Sequence, residues 1–458
     1  VVKKLNESYY YIEESAEIIY SIKKQLTIVD ESARFKPQFK KYGMDLPTFK
    51  FYRDFQDGIV VPSGLIHFLE NFGIYPIQEE PEFSNLEIVK YLEDCKEILP
   101  FEPYQYQIEL VMDSLKNKQQ MGRAATGSGK SVIITLVSNF LVQNGKKVLI
   151  IVPSISLVTQ IKSDILDYNF KELHDQIHLI GGEFQEKNLN SNITISTWQS
   201  LHRMDKKALE QVDAIIIDEA HGMKMDSKLL ELALAAKNAK YRLAVTGTLP
   251  ELPQDKMSIF SIVGKPKTYI RTSGLIKMGL ATPLVINTLK LSYNSYECAQ
   301  FKGIKSYPEQ LSFIKEHDNR NLFIAKLALG VAQKTGNTVI MYSHVQHGKD
   351  IFIALMKQRY PEVEVQNSNI VGKKAFEFQE KYRIYFINGS TEAKQREEIR
   401  RILDIPTRVK ITLEDDTEVF FLDTDNIELI DGSFKQASYL SQDDEISEAF
   451  LSLYLSKV

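Results

Sequence analysis

The sequence predicts an α/β protein on parallel sheets, with a second, shorter α/β region after the first, a small α+β region before them and a β-rich ending. Three observations carry this. Residues 147–153 (KVLIIVP) and 214–217 (AIII) are short aliphatic runs that stop abruptly at polar or helix-starting residues, as strands buried on both faces do. Helical stretches alternate with these runs up to about residue 285. The alternation then returns, with helices expected over 321–333 and 392–403 and strands over 338–342 and 383–387.

At 458 residues, 43% apolar and 25% charged, the composition is that of a soluble globular chain of about three domains. Cys95 and Cys298 lie far apart, so there is no disulfide framework and no paired-cysteine metal or redox site. No apolar run approaches the ~18 residues a membrane span needs, and the start, VVKKLNES, has no signal-peptide core. Because that start is not methionine, a processed product or a fragment is expected.

Four regions are expected. Residues 1–97 form a small domain rich in aromatics and lysine, followed by a linker at 98–103 (ILPFEP). Residues 98–285 form the first α/β domain and 286–403 a partial second one. Residues 404–458 alternate apolar and polar residues around the turns 414–417 and 431–432 and read as a β-rich segment. Charge follows the same division. From Val409 onward twelve Asp and Glu face three Lys and no Arg, a net −9, so a whole-chain charge of −4 leaves +5 on residues 1–408. A mildly basic body with an acidic tail differs from a mildly acidic protein, because fields act within a Debye length of about 10 Å.

Residues 124–131 read AATGSGKS, a phosphate-binding loop with Ala124 in place of the usual first glycine. Little side chain is wanted at Ala125, Thr126, Gly127, Ser128 and Gly129, because backbone N–H groups must curl around phosphate oxygens. Lys130 offers a point charge to the β/γ-phosphates and Ser131 a hydroxyl to Mg²⁺, at the positive end of the helix that follows. The strand at 214–217 ends in Asp218-Glu219-Ala-His221, 88 residues after Lys130. Two carboxylates at the C-terminal edge of a buried strand sit where ligands gather in open α/β sheets. Asp218 is the expected second metal ligand, Glu219 the general base for water, and His221 a link from nucleotide state to the next loop. ATP and Mg²⁺ are therefore the expected cofactors.

With these motifs placed, the chain resembles the superfamily-two helicases. The segments 153–157 (PSISL) and 195–200 (ISTWQS) are similar to two that contact the nucleic-acid backbone, implying DNA contacts at Pro153, Ser154, Thr197, Trp198 and Gln199. Thr246-Gly247-Thr248 is similar to the motif that couples hydrolysis to strand movement. Tyr106-Gln107 resembles the glutamine motif that reads adenine. A narrower resemblance, over roughly residues 1–403, is to the UvsW-type recombination helicases of tailed phages. It rests on Tyr106-Gln107, the DEAH, 196–199 (STWQ), 319–321 (NRN) leading into 324–328 (IAKLA), and 344–349 (HVQHGK). The stretch from Arg34 to Gly58 is similar to that family's small extra domain. The resemblance implies RecA-like sheets, ATP hydrolysis, and remodelling of branched DNA such as junctions, forks and R-loops in phage recombination and repair. RNA within R-loops, a monomer and the bacterial host cytoplasm come with that reading.

Between residues 34 and 55 six Lys or Arg alternate with seven Phe or Tyr. Lys36, Lys40 and Lys41 are expected to face DNA phosphates, with most of the aromatics in the domain core. The second domain of such helicases carries a late QxxGRxxR motif, and one of its arginines stabilises transition-state charge. No QxxGRxxR occurs here, and Arg408 is the last arginine. Residues 410–419, 431–440 and 444–446 resemble β-elements of an intein-type (Hint) module, with Asn426 where its histidine usually stands and no cysteine near the junction, so no splicing is inferred. Three functions stay open: an ATP-driven motor on branched DNA, a truncated or intein-interrupted fragment that binds ATP and DNA with little turnover, and a restriction-type DNA translocase subunit without strand separation.

Overall fold

The computed structural model describes residues 1–30, 33, 45–77, 79–182, 188–282, 287–335, 338–372 and 375–391. Beyond these it describes helical residues 395, 396, 398, 399 and 402 and the backbone of five short strands up to residue 439. The chain divides into two compact units, Val1–Ile286 and Asn287–Val458.

The first unit opens with β1 (Val2–Asn6), β2 (Tyr9–Ile12), α1 (Ala16–Gln25), β3 (Thr27–Val29), β4 (Thr48–Lys50), β5 (Arg53–Phe55) and β6 (Gly58–Pro62). Strands β1-β2-β6-β5 make an antiparallel sheet and β3 pairs with β4. Ile12, Ile22, Leu26, Ile59 and Leu65 fill their common core. The basic positions Lys36, Lys40 and Lys41 lie outside the described residues.

Next come α2 (Asn85–Ile98), α3 (Gln105–Asn117), β7 (Gln119–Ala124), α4 (Lys130–Gln143), β8 (Val148–Val152), α5 (Ile155–Asp167), β9 (Ile177–Ile180), β10 (Ile193–Thr197), α6 (Trp198–Leu201), β11 (Ala214–Asp218), α7 (Lys228–Ala235), β12 (Tyr241–Thr246), α8 (Pro253–Val263), β13 (Pro266–Ile270) and α9 (Thr272–Lys277). The seven strands form one sheet in the order β13-β7-β12-β11-β8-β10-β9, every pairing parallel. Strands β8 and β11 are buried at every position, which is why their sequences show continuous apolar runs rather than alternation. Helix α4 is buried from Val132 to Leu141, so it reads as apolar all round.

The boundary expected at 97/98 falls at the end of α2, a helix held by a Ser84–Glu87 capping box. That helix packs into the core of the parallel sheet: Tyr91 Oη donates to the Leu136 carbonyl at 2.7 Å, and Phe83 meets Phe140 edge-on at 4.8 Å. The sheet's own layer therefore begins near residue 83, and 99–104 is a loop between two helices of the same layer. The N-terminal sheet is itself docked on the parallel one. The guanidinium of Arg242, 1% exposed at the start of β12, donates to the carbonyls of Ala233, Ala236 and Ala239 and to Ser8 Oγ. Burial lowers its pKa to about 10, which still leaves it charged at neutral pH. Gln119 Nε2 donates to Ser63 Oγ at 2.9 Å, and a Cβ on Gly64 would overlap the Phe260 carbonyl oxygen.

The second unit holds α10 (Ser295–Gly303), α11 (Tyr307–Lys315), α12 (Asp318–Thr335), α13 (Val345–Arg359), α14 (Asn367–Ile370) and α15 (Ala375–Tyr382), then β14 (Arg408–Thr412), β15 (Glu418–Leu422), β16 (Leu429–Ile430), β17 (Ser433–Phe434) and β18 (Ser438–Tyr439). The helix expected over 321–333 lies within α12. The strands expected over 338–342 and 383–387 are not formed: neither segment belongs to a ladder among the described residues. Tyr342 instead stacks on Phe386 at 5.3 Å, and Phe386 packs with Phe352 and Met356. Of the helix expected over 392–403, residues 392–394, 397, 400, 401 and 403 lie outside the description. Strands β14 and β15 pair antiparallel, as do β15 with β18 and β16 with β17, whereas turns 414–417 and 431–432 and Asn426 lie outside it. Among the described residues no helix is long and apolar enough to cross a membrane.

Candidate nucleotide and nucleic-acid site

Strand β7 ends at Ala124, and the chain turns back on itself before α4 starts at Lys130. Gly127 (φ 80°) and Gly129 (φ 72°) make the turn in the left-handed region. At Gly129 any Cβ would also lie 2.5 Å from Gln107 Nε2. Gln107 is 2% exposed. Its Oε1 accepts from the Tyr104 backbone N–H at 2.9 Å and its Nε2 donates to the Ser128 carbonyl at 2.9 Å. Tyr106 Oη donates to the same carbonyl at 2.8 Å. Both residues therefore sit beneath the loop and fasten its backbone. Ser128 Oγ is buried there with no hydrogen-bond partner among the described residues.

The acidic pair closes β11, two strands away from β7 in the same sheet. Glu219 stands at φ 49°, an uncommon and strained conformation for a residue with a side chain. It turns the carboxylate toward the loop, where Glu219 Oε1 lies 2.9 Å from Lys130 Nζ. On its other side Glu219 Oε2 is 3.1 Å from His221 Nδ1, which is 3.0 Å from Thr246 Oγ1. The Thr246 hydroxyl has one proton and its shortest acceptor is the Thr248 carbonyl at 2.9 Å, so His221 carries its proton on Nδ1 and shares it between Thr246 and Glu219. A continuous polar chain thus joins Lys130, Glu219, His221, Thr246 and Thr248. Gly247 lets the loop after β12 lie against the phosphate-binding loop, since a Cβ there would stand 3.1 Å from Thr126 N.

Asp218 is 9% exposed. Burial and the adjacent Glu219 charge raise its pKa, opposed by Lys130, and its Oδ1 accepts from the Glu219 backbone N–H at 2.9 Å. Ser131 Oγ lies 2.8 Å from Tyr168 Oη, with which it shares a hydrogen bond. Tyr168 belongs to no motif, so sequence reasoning passed over it.

The two segments expected on nucleic acid follow β8 and β10, which are neighbours in the sheet, and emerge side by side at its C-terminal edge. Pro153 and Gln199 are exposed, and Ser154 and Trp198 half-buried. Thr197 is buried, and its hydroxyl caps α6 by accepting from Ser200 N, so it is held inside rather than presented. Beside them Gly181 (φ 127°) and Gly182 (φ 60°) follow β9 against Ile155, where a Cβ on Gly181 would stand 2.8 Å from Ile155 Cδ1.

The profile of the type III restriction enzyme res subunit family matches residues 100–251. The chain is 30% identical over 349 residues to the ATP-dependent DNA helicase uvsW of Enterobacteria phage T4, covering 72% of this chain and 67% of that protein. A crystal structure of T4 UvsW aligns with a TM-score of 0.50 at 25% identity, over 88% of this chain and 77% of that one. A second structure, of the UvsW helicase from Bacteriophage T4, aligns with a TM-score of 0.50 at 24% identity, over 58% of this chain and 98% of that one.

Proposed function

The chain belongs to the UvsW family of ATP-dependent DNA helicases, and from that premise we propose that it couples ATP hydrolysis to the remodelling of branched DNA: junctions, forks and R-loops in phage recombination, replication and repair. It is an ATP-hydrolysing DNA helicase; the branched substrate, the RNA strand of an R-loop, the monomeric state and the host cytoplasm are parts of the proposal.

One observation carries the reading. The polar chain from Lys130 through Glu219 and His221 to Thr246 and Thr248 links the phosphate-binding loop to the strand-terminal carboxylates, on the sheet edge that also bears Ser154 and Gln199. In this reading Lys130 exchanges Glu219 for the β/γ-phosphates when ATP binds. Glu219, freed and held by His221, then takes the proton of the attacking water. His221 passes the change to the loop of Thr246, Gly247 and Thr248. Gln107 reads adenine only if its amide leaves Tyr104 and Ser128.

The residues present fit Mg²⁺. Asp218 is a buried carboxylate whose charge is opposed by desolvation and by Glu219, a cost that a divalent cation relieves, and Ser131 adds a neutral oxygen. Ser131 and Asp218 would hold the ion, which when bound neutralises charge developing on the phosphates.

A second reading, ATP and DNA binding with little turnover, draws support from the second unit, where the expected strands are not formed and Val339 and Met341 are 77% and 91% exposed. A restriction-type translocase remains a third, supported by the match over residues 100–251. ATPase rate and strand separation, measured on duplex, forked and four-way DNA, distinguish them. Fast turnover with separation of branched substrates supports the proposal. Turnover without separation supports the translocase, and turnover that DNA does not raise supports the binding reading.

A further inference from the structure

The carboxylate site has a second support, on the side of the N-terminal sheet. After β11 ends at Asp218, the chain runs through the turn Ala220–Gly222 to Met225 before Ser227 caps α7. Lys224 and Asp226, on either side of Met225, are exposed, and Asp226 stands at φ 58°, a costly conformation for a residue with a side chain. The anchor for this loop comes from α8. Asp255, 8% exposed in the first turn of that helix, accepts from the Met225 backbone N–H at 3.0 Å through Oδ1.

The Met225 side chain is seated where two cores meet. It packs against a core of the parallel sheet and against the core of the N-terminal sheet, as does Phe260 of α8. Its Sδ lies 3.5 Å from Ser258 Oγ on the same helix. From the N-terminal sheet, Phe68 stacks on Phe260 at 5.7 Å, and Gly64 brings the turn Ser63–Phe68 onto the Phe260 carbonyl. Helix α8 also packs on the turn Ala220–Gly222 and on β12, which ends at Thr246. The N-terminal sheet, α8 and the loop after His221 are thus packed in series, and close-packed interiors transmit displacement.

We propose that Asp255 and Met225 are positioning residues that tie the loop after His221 to the N-terminal sheet and so hold Glu219 and His221 in register for hydrolysis. Both act through that loop, and neither touches nucleotide. This rests on the ATPase reading above, in which Glu219 is the general base.

The test is steady-state ATPase activity of the full chain with saturating DNA, with kcat and the KM for ATP measured separately and folding followed by thermal melting. Misplacing a reacting group by about 1 Å can cost about 100-fold, so Asp255→Ala and Met225→Ala should each lower kcat about tenfold. The KM for ATP should stay within about twofold, because the phosphate-binding loop is untouched. Asp255→Asn keeps the acceptor and Met225→Leu the volume, and each should restore most of kcat. Phe68→Ala, on the N-terminal side, should lower kcat in the same way, with little further effect in a Met225→Ala background. It carries the test if Asp255→Ala does not fold. If Glu219→Gln leaves kcat unchanged, the ATPase reading and the proposal fall together. If Glu219→Gln abolishes turnover but Met225→Ala or Phe68→Ala matches wild type, or Asp255→Asn is as slow as Asp255→Ala, the proposal alone is overturned.

Discussion

The apolar run 147–153 and the apolar run 338–342 look alike as sequence, yet they end in opposite environments. Ile150, in β8, is fully buried between β10 and β11, with ladders on both edges. Val339 and Met341 are 77% and 91% exposed in a segment with no ladder among the described residues. A run of β-branched residues is a request for two neighbours and two covering layers; 147–153 has both, whereas 338–342 joins no ladder among the described residues. Lys130, Asp218, Glu219, His221 and Thr246 stand at the edge of the seven-stranded sheet, where buried strands fix the position of each loop to within a hydrogen bond.

The largest test of the comparison is chemical. Lys130→Ala removes the cation that pairs with Glu219 and, in the proposed function, the phosphate contact. ATPase activity should fall at least about 10³-fold while the far-UV circular dichroism stays the same. Residual turnover within tenfold of wild type would place hydrolysis elsewhere.

Next in size is the joint between the N-terminal sheet and the parallel one. Arg242→Ala strands the carbonyls of Ala233, Ala236 and Ala239 and the Ser8 hydroxyl without their donor. A loss of about 4 kcal/mol is expected. The single tryptophan, Trp198, lies in the first unit, so its fluorescence in urea reads that unit alone. An unmoved midpoint would mean that the two sheets are joined without Arg242.

The contrast in strands gives a paired test. Ile216→Ala in β11, 1% exposed, should cost about 3 kcal/mol by the same fluorescence. Met341→Ala should change the circular-dichroism unfolding midpoint by no more than about 0.5 kcal/mol. Equal costs at the two sites would show that the 338–342 segment is buried after all.

How far the sequence could be read follows from the same physics. Burial on both faces leaves an unbroken apolar run, so β8 and β11 were legible, and the glycine-lysine loop and DEAH were legible because phosphate chemistry restricts them so tightly. The docking of α2 was not, because a capping box and an apolar stripe do not say which core receives them. Gln107 was visible as a motif, but its place under the loop depends on Tyr104 and Ser128. Tyr168 was invisible, since a hydrogen bond to Ser131 across 37 residues leaves no local pattern. The segment at 338–342 misled because periodicity reports what a strand needs and is silent on whether its neighbours are present.

The smallest expected effect is a pH dependence confined to the first unit. Hydrogen bonds from Lys4 and Lys118 lower the Glu79 pKa from 4.5 to about 2 against the opposing effect of burial. Glu82 also falls to about 2, burial raising it but Lys146 and Lys240 outweighing that. Glu79 bridges Lys4 of the N-terminal sheet and Lys118 before β7, at 2.5 and 3.0 Å, so it acts at the same joint as Arg242. Both carboxyls bind protons less readily folded than unfolded. Their stabilisation is therefore present above about pH 4.5 and is lost as pH falls through about 2. Both are partly exposed, which reduces the effect by solvent screening. The Trp198 urea midpoint should decline between pH 4.5 and 2, and the double variant Glu79→Gln/Glu82→Gln should start lower and decline less steeply. Parallel slopes for wild type and variant would assign acid sensitivity to other carboxylates and leave Arg242 as the main electrostatic element of that joint.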